Sequence, residues 1–170
     1  MLSAIHVMGD YWSDGADERS ILGALVTAAK DQGAAEALDE LCARIGAFAR
    51  TLDLPDTATI VAVPPAPDRD AHPVPALAQA VAAALGAETA PTVTRRRSTP
   101  RLRDTPPDRR AAVVEAAGYE VIDTVEARRI VLVDDVVLTG TTLTHIARLL
   151  VSAGASRVDA IVAARTRQRR

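Results

Sequence analysis

The sequence predicts an α/β fold with a mostly parallel, twisted sheet flanked by helices. Three observations predict it. Residues 59–63, 129–133 and 158–164 are short apolar runs rich in β-branched side chains, as expected of strands buried on both faces. Between them lie stretches whose apolar side chains recur at three- and four-residue spacing. The two patterns alternate at short intervals, as in strand–helix–strand units. At 170 residues the chain is expected to form a single domain over 1–170, able to bury a core without disulfide or metal staples.

In order, residues 4–12 read as a short strand and Ser13-Asp14-Gly15 as a turn. Ile21, Leu22, Leu25, Ala28 and Ala29 give one apolar face to a helix over 18–30, closed by Gln32-Gly33. Leu38, Leu41, Cys42, Ile45, Phe48, Ala49 and Leu52 do the same for a second helix, with Glu36, Asp39, Glu40, Arg44 and Arg50 opposite. Cys42 lies inside that stripe and is assigned to the core. The strand at 59–63 stops at Pro64-Pro65, and a proline-rich loop over 64–73 leads to a helix with Val74, Leu77, Ala78, Val81, Ala82 and Leu85 on one face, ending near Gly86. A short strand around 92–94 opens onto an arginine- and proline-rich stretch, 95–110. A short helix at 111–117, a turn at Gly118 and a strand at 119–123 follow. The strand at 129–133 ends in Asp134-Asp135, residues 136–141 form a loop, 142–153 a helix capped by Gly154, and 158–164 the last strand.

Composition excludes several classes. One cysteine rules out a disulfide framework and a four-cysteine zinc site. The absence of an 18-residue apolar run or a cleavable leader pattern leads us to expect a cytoplasmic protein without membrane attachment. Only Tyr11, Trp12, Phe48 and Tyr119 are aromatic, so the core must be aliphatic. The formal net charge of −2 hides a polarised chain. All but one of the basic residues are arginine, Lys30 being the exception; seven arginines face two aspartates in 95–110, and four more lie in 165–170, expected to be a solvated basic tail. The rest of the chain is therefore strongly acidic, and an anionic partner is not excluded by the sum, because local field decides anion binding.

In a parallel sheet ligands bind at the carboxyl ends of strands, which puts Asp134, Asp135 and the residues after them at the expected site. Two adjacent carboxylates beyond an apolar run cannot both face the core and need a ligand, a cation or arginines. Val137, Leu138, Thr139, Gly140, Thr141 and Thr142 follow, supplying hydroxyls, a glycine for close backbone approach and a helix N-terminus whose free N–H groups suit a phosphate. Carboxylates for a vicinal diol beside an amide nest for a phosphate describe a 5-phosphoribosyl group. Receiver domains also carry Val-Asp-Asp at a strand end, but they need a downstream lysine, and no residue after Asp135 is lysine. His6, His72 and His145 share no metal-ligand spacing; only His72 sits where it could meet a ligand.

Residues 130–142, Ile-Val-Leu-Val-Asp-Asp-Val-Val-Leu-Thr-Gly-Thr-Thr, resemble the phosphoribosyl pyrophosphate (PRPP) motif of the type I phosphoribosyltransferases. More of the chain is similar to one branch, the ComF-like (competence-protein) phosphoribosyltransferases: Tyr11, Lys30 and Gly33 near the start, Val61-Ala62-Val63-Pro64, Arg96-Arg97-Ser98-Thr99-Pro100, and Asp108-Arg109-Arg110. The resemblance implies a type I phosphoribosyltransferase fold and transfer of a phosphoribosyl group from PRPP to a nitrogen nucleophile, in the first place a nucleobase, with release of pyrophosphate. It implies that Asp134 and Asp135 are catalytic, holding the ribose hydroxyls with Mg²⁺ bound indirectly, and that residues 137–142 hold the 5′-phosphate. Val63, Pro64 and Pro65 would form the pyrophosphate loop, with a cis or strained peptide expected there, and Lys30 and Arg69 would be its cations. Arg95, Arg96 and Arg97 would belong to a mobile lid over 95–110. A homodimer is the expectation for the superfamily. The chain departs from the family pattern in lacking the N-terminal cysteine zinc module, so that it would be the transferase core alone. It also reads Arg69-Asp70-Ala71-His72-Pro73 where the family has Arg-Gly-Phe-Asn-Gln, and it places Leu138 where a small hydroxyl residue is usual. The alternative expectation is a non-catalytic protein of the same fold that binds a nucleotide or single-stranded nucleic acid through its arginines. The scarcity of aromatics for base stacking weighs against it.

Overall fold

The computed structural model describes residues 1–14, 18–54, 57–68 and 72–167. The elements in chain order are β1 (Leu2–Asp10), α1 (Ile21–Asp31), α2 (Ala35–Ala49), β2 (Thr59–Ala62), α3 (Val74–Leu85), β3 (Glu88–Thr89), β4 (Val93–Arg95), α4 (Arg110–Ala116), β5 (Tyr119–Val121), β6 (Arg129–Val137), α5 (Thr141–Ser152) and β7 (Arg157–Arg165). The main sheet runs β1-β7-β6-β2-β3, and every neighbouring pair is parallel. The fold class is thus the one the sequence predicts. β6 and β7 are buried through nearly their whole length, which is why their sequences are continuous apolar runs rather than alternating ones.

Two aliphatic layers cover the sheet. On one face Ile130 and Leu132 of β6 pack with Val114 of α4 and with Leu143, Ile146, Ala147 and Leu150 of α5. On the other face Val131 and Val133 meet Val26 of α1, Leu41 and Ile45 of α2, and Leu77 and Val81 of α3. From Ile130 to Val133, odd and even residues of β6 therefore belong to opposite layers, as the two-residue period of a strand requires.

Local signals account for the helix ends. The Ser20 hydroxyl accepts the Gly23 N–H at 3.0 Å, capping α1, and donates to the Asp10 carbonyl at 2.5 Å. α3 carries Pro75 in its first turn and stops at Gly86, whose φ of 66° is left-handed. Glycine has a second use at Gly23: a Cβ there would lie 2.0 Å from the Tyr11 carbonyl oxygen. The start of α1 thus sits directly on the backbone that leaves β1, and the Ser20 N–H reaches the same carbonyl at 3.1 Å.

Several sequence expectations need correction. β6 continues through Asp134, Asp135, Val136 and Val137, where a strand end and loop are predicted, because β7 offers partners as far as Arg165. The strands predicted at 92–94 and 119–123 pair with each other, antiparallel, outside the main sheet. The stretch 95–110 contains two 3₁₀ turns, Leu102–Asp104 and Pro107–Arg109. Its last residue, Arg110, is only 4% exposed, and its Nε donates to the carbonyls of Leu102 and Thr105. Tyr11 and Trp12 lie beyond β1 rather than in it. All peptide bonds of the described residues are trans. No helix among them is long and apolar enough to cross a membrane.

The contact of Gly23 with Tyr11 yields a first test. Gly23→Ala forces backbone against backbone, which a close-packed interior accommodates at a cost of about 1–3 kcal/mol. Urea unfolding followed by circular dichroism should give a lower midpoint than wild type, and an unchanged midpoint would refute the close approach.

Candidate functional site

At the carboxyl ends of the strands lies a cavity of about 680 Å³. It is lined by Lys30, by Val63, Pro64 and Pro65 after β2, by Asp134 to Val137 of β6, by Leu138, Thr139 and Gly140, and by Thr141 and Thr142 of α5. Residues predicted from three separate segments are therefore brought together. Arg69 lies outside the described residues.

The acidic pair sits in the strand with an irregular local geometry. Leu132 and Val137 belong to the α5 layer, whereas Val133 and Val136 belong to the α1–α3 layer, so the strand alternation slips by one residue across Asp134 and Asp135. Each carboxylate turns back on the chain: the Asp135 N–H donates to Asp134 Oδ1 at 2.9 Å, and the Val136 N–H to Asp135 Oδ1 at 2.7 Å. Asp135, 3% exposed, is paired through Oδ2 with the Lys30 ammonium from the last turn of α1, and His72 Nε2 stands 4.0 Å from the same oxygen. The C-terminal end of α1 suits a cation.

The two acids differ in electrostatics. Burial, followed by the neighbouring charge of Asp135, pushes the Asp134 carboxyl well above its ordinary value of 3.8. Burial acts on Asp135 in the same direction, but the Lys30 ammonium and then His72 outweigh it and leave Asp135 below its ordinary value. On the Asp134 side, Tyr119 of β5 is raised above its ordinary value by burial, an effect that Arg95 opposes and Asp134 reinforces.

The turn into α5 has the geometry of an anion cradle. Gly140 precedes the helix with φ 76°, a left-handed conformation that a side chain disfavours, and a Cβ there would come within 3.1 Å of Ile5. The Thr144 N–H is the first to bond back, to the Gly140 carbonyl at 2.8 Å. The amides of the first turn before it are the unsatisfied donors of any helix start. Thr139 and Thr141 join their hydroxyls at 2.7 Å, and Leu138 lines the cavity without a side-chain donor.

The arginine stretch divides. Arg95 lines the cavity, with its guanidinium 5.7 Å from the Tyr119 ring centre and hydrogen-bonded to the Arg97 carbonyl and the Thr99 hydroxyl. Arg101 and Arg103 line it as well. Arg96 does not; it pairs with Glu120 at 2.5 Å. Arg97 is absent from the lining too.

One wall carries no diagnostic motif in the sequence. Tyr11, Trp12, Arg19, Thr166 and Arg167 line the end of the cavity beside β7 and β1. Tyr11 is held by a 2.6 Å hydrogen bond between its hydroxyl and that of Thr27, and its ring meets Trp12 edge-on at 5.1 Å. Trp12 Nε1 donates to the Thr166 hydroxyl at 3.0 Å, while the Thr166 N–H bonds to the Val137 carbonyl at 2.8 Å. Trp12 also bridges Arg19 in antiparallel fashion. The available signal was two of only four aromatics standing together at a strand end.

Comparison with known proteins gives one family match, to the phosphoribosyl transferase domain, over residues 76–170. No curated protein matches the chain. Among solved structures, the glutamine phosphoribosylpyrophosphate amidotransferase of B. subtilis, complexed with ADP and GMP, is 23% identical, with a TM-score of 0.49, over 69% of this chain and 25% of that one. A hypoxanthine phosphoribosyltransferase of Staphylococcus aureus is 12% identical, with a TM-score of 0.45, over 74% of this chain and 61% of that one. The Leishmania tarentolae HGPRT-ase in complex with GMP is 15% identical, with a TM-score of 0.40, over 83% and 65%. The chain thus spans about a quarter of the length of the amidotransferase and under two thirds of the other two.

The electrostatic conflict at Asp134 predicts a stability gain. An acid raised by folding is penalised once the pH exceeds its unfolded value of 3.8, and the penalty grows until the folded value is passed. Asp134→Asn removes the conflict, and a gain of about 1 kcal/mol, ordinary for such relief, corresponds to about 2–4 °C in Tm. Calorimetry at pH 8 should show the increase and should show it vanish toward pH 4; a decrease at pH 8 would contradict the assignment.

Proposed function

Because the chain belongs to the phosphoribosyl transferase domain family, we propose that it transfers a 5-phosphoribosyl group from PRPP to a nitrogen nucleophile, with a nucleobase as the first candidate, and releases pyrophosphate. One observation carries the reading: the acidic pair of β6, the amide-lined start of α5 and the loop after β2 open into one cavity. Its volume is in the range of small-molecule sites. Within the family we assign the chain to the ComF-like branch on Val61-Ala62-Val63-Pro64 and Asp108-Arg109-Arg110.

In this mechanism Asp134 and Asp135 accept hydrogen bonds from the ribose hydroxyls. Their negative charge lies beside the anomeric carbon as positive charge develops there, and it is worth more in the transition state than in the ground state. The α5 amides and Thr139, Thr141 and Thr142 hold the 5′-phosphate, which fixes the sugar; Val137, Leu138 and Gly140 contribute backbone. Val63, Pro64 and Pro65 shape the pyrophosphate loop. Lys30, which balances Asp135 in the free protein, supplies positive charge to the leaving group together with Arg69. Arg95 extends the cationic side from β4, and Arg96 and Arg97 belong to the segment that follows it.

The donor set suits Mg²⁺. The acids offer oxygen only, and among the described residues no group of three ligating side chains could form a cage of its own. Such a site fits an ion that keeps its waters and arrives on substrate phosphates, held indirectly by Asp134 and Asp135. Bound there, it would neutralise charge on the departing pyrophosphate.

The test is titration calorimetry and thermal melting with PRPP and Mg²⁺. PRPP should raise Tm, EDTA should diminish the rise, and Asp134→Asn with Asp135→Asn should weaken binding at least about tenfold, or about 1.4 kcal/mol. Absence of binding at millimolar PRPP would overturn the reading, as would an unchanged affinity in the double variant.

A further inference from the structure

The stretch 95–110, expected as a mobile lid, is tied down along its length. The N–H groups of Arg96 and Arg97 donate to the carbonyls of Gly118 and Ala117 at 3.2 and 3.0 Å, continuing the pairing of β4 with β5. Farther on, the 3₁₀ turn Leu102–Asp104 is closed from within. The Asp104 N–H and the Thr105 hydroxyl both donate to the Arg101 carbonyl, at 3.0 and 2.9 Å, and the Thr105 N–H donates to the Leu102 carbonyl at 3.2 Å. From the start of α4, Arg110 Nε donates to the carbonyls of Leu102 and Thr105 at 3.2 and 3.1 Å. Thr105 and Arg110 are buried, and Leu102 packs against the α5 layer. A buried clasp thus holds the backbone of the turn, while the side chains of Arg101 and Arg103 stay exposed at its outer side and line the cavity.

The cavity needs donors that its other walls do not supply. Resting on the transferase reading above, the diphosphate of PRPP lies at the loop after β2. There the Val63 N–H is already given to the Val133 carbonyl at 2.9 Å, and Pro64 and Pro65 have no N–H to give. Three consecutive residues of that loop therefore offer a ligand no backbone donor. The Lys30 ammonium is engaged with Asp135. The 5′-phosphate, by contrast, has the amides at the start of α5 and the hydroxyls of Thr139, Thr141 and Thr142. Guanidinium forks match phosphate oxygens in geometry as well as in charge. Arg101 has no carboxylate partner among the described residues. Arg103 Nε stands 3.7 Å from Asp104, but the two side chains are 62% and 66% exposed, and water screens such a pair.

We propose that Arg110 and Thr105 are positioning residues, which hold the turn at 101–105 in its cavity-facing shape before any ligand arrives, so that Arg101 and Arg103 give the diphosphate the donors that the loop after β2 lacks. The segment is then a preformed wall rather than a lid that orders around its ligand, and binding carries no ordering cost for the backbone of the turn.

Titration calorimetry with PRPP, and separately with ribose 5-phosphate, which lacks the diphosphate, tests this, each in the presence of Mg²⁺. Arg101→Gln with Arg103→Gln should weaken PRPP by about tenfold or more and leave ribose 5-phosphate within about twofold of wild type. Thr105→Val, which deletes the hydroxyl bond at constant shape, should weaken PRPP about fivefold with the same selectivity, and Thr105→Ser should restore it. In the absence of ligand, trypsin should cut after Arg101 and Arg103 at least about fivefold faster in Thr105→Val than in wild type, because the turn opens more often. Where Thr105→Val fails to fold, Arg110→Lys is read in its place by the same criteria. The inference is overturned if the arginine variants keep the wild-type affinity for PRPP, if Thr105→Val weakens both ligands equally, if Thr105→Ser fails to restore PRPP binding, or if the trypsin rates do not change. Absence of binding of both ligands to the wild-type protein at millimolar concentration overturns the transferase reading itself, and this inference with it.

Discussion

Two adjacent carboxylates in the middle strand of a sheet covered on both faces are the constraint to which the rest of the molecule answers. A regular strand would send one side chain into each apolar layer, where an unpaired charge is costly. Here the alternation slips, each carboxylate takes the next backbone N–H, and the two acids are divided between environments. Asp135 has Lys30. Asp134 keeps the conflict, which its raised pKa expresses. Such a site is maintained against stability, as expected where charge is needed for a ligand rather than for the fold.

The cationic groups are arranged around that pair in sequence along the sheet edge. Lys30 comes from the end of a helix on one face, Arg95 from the small antiparallel sheet on the other, and Arg19 and Arg167 from the far end of the cavity. Burying a carboxylate pair needs compensating charge nearby, and of these cations Lys30 is the one in direct contact with it. The near-neutral total of the chain is the sum of these local oppositions rather than a lack of them.

Legibility followed the physics of each element. β6, β7, α3 and α5 were visible because burial on both faces gives unbroken apolar runs, and burial on one face gives a helical stripe. The Asp134 to Thr142 segment was visible because its chemistry is local in sequence. Four things were not. The continuation of β6 past the acids depends on β7, a pairing that no local window contains. The separation of β4 and β5 from the main sheet depends on where α4 returns the chain. Arg110 read as the last residue of a mobile arginine-rich lid, but it turns inward to satisfy two carbonyls of its own loop. The wall of Tyr11, Trp12 and Thr166 joins residues more than 150 positions apart, as the Trp12 to Thr166 bond shows, and only parallel pairing of β1 with β7 brings them together.

One helix touches both ends of the cavity. Near its start α1 rests on the Tyr11 carbonyl through Gly23, and in its last turn Lys30 meets Asp135. Seven residue steps of α-helix separate the two contacts, a rigid spacer of about 10 Å. The helix therefore acts as a ruler that sets the separation between the aromatic wall and the acidic pair, independently of the loops around it. Its length and phase are coupled: one inserted residue between Gly23 and Lys30 would turn the ammonium about 100° away from its carboxylate while lengthening the span by only about 1.5 Å. Variation in ligand size is consequently easier to accommodate in the segments beyond β1 and β7 than in α1, whose residue count is tied to the charge balance of the sheet.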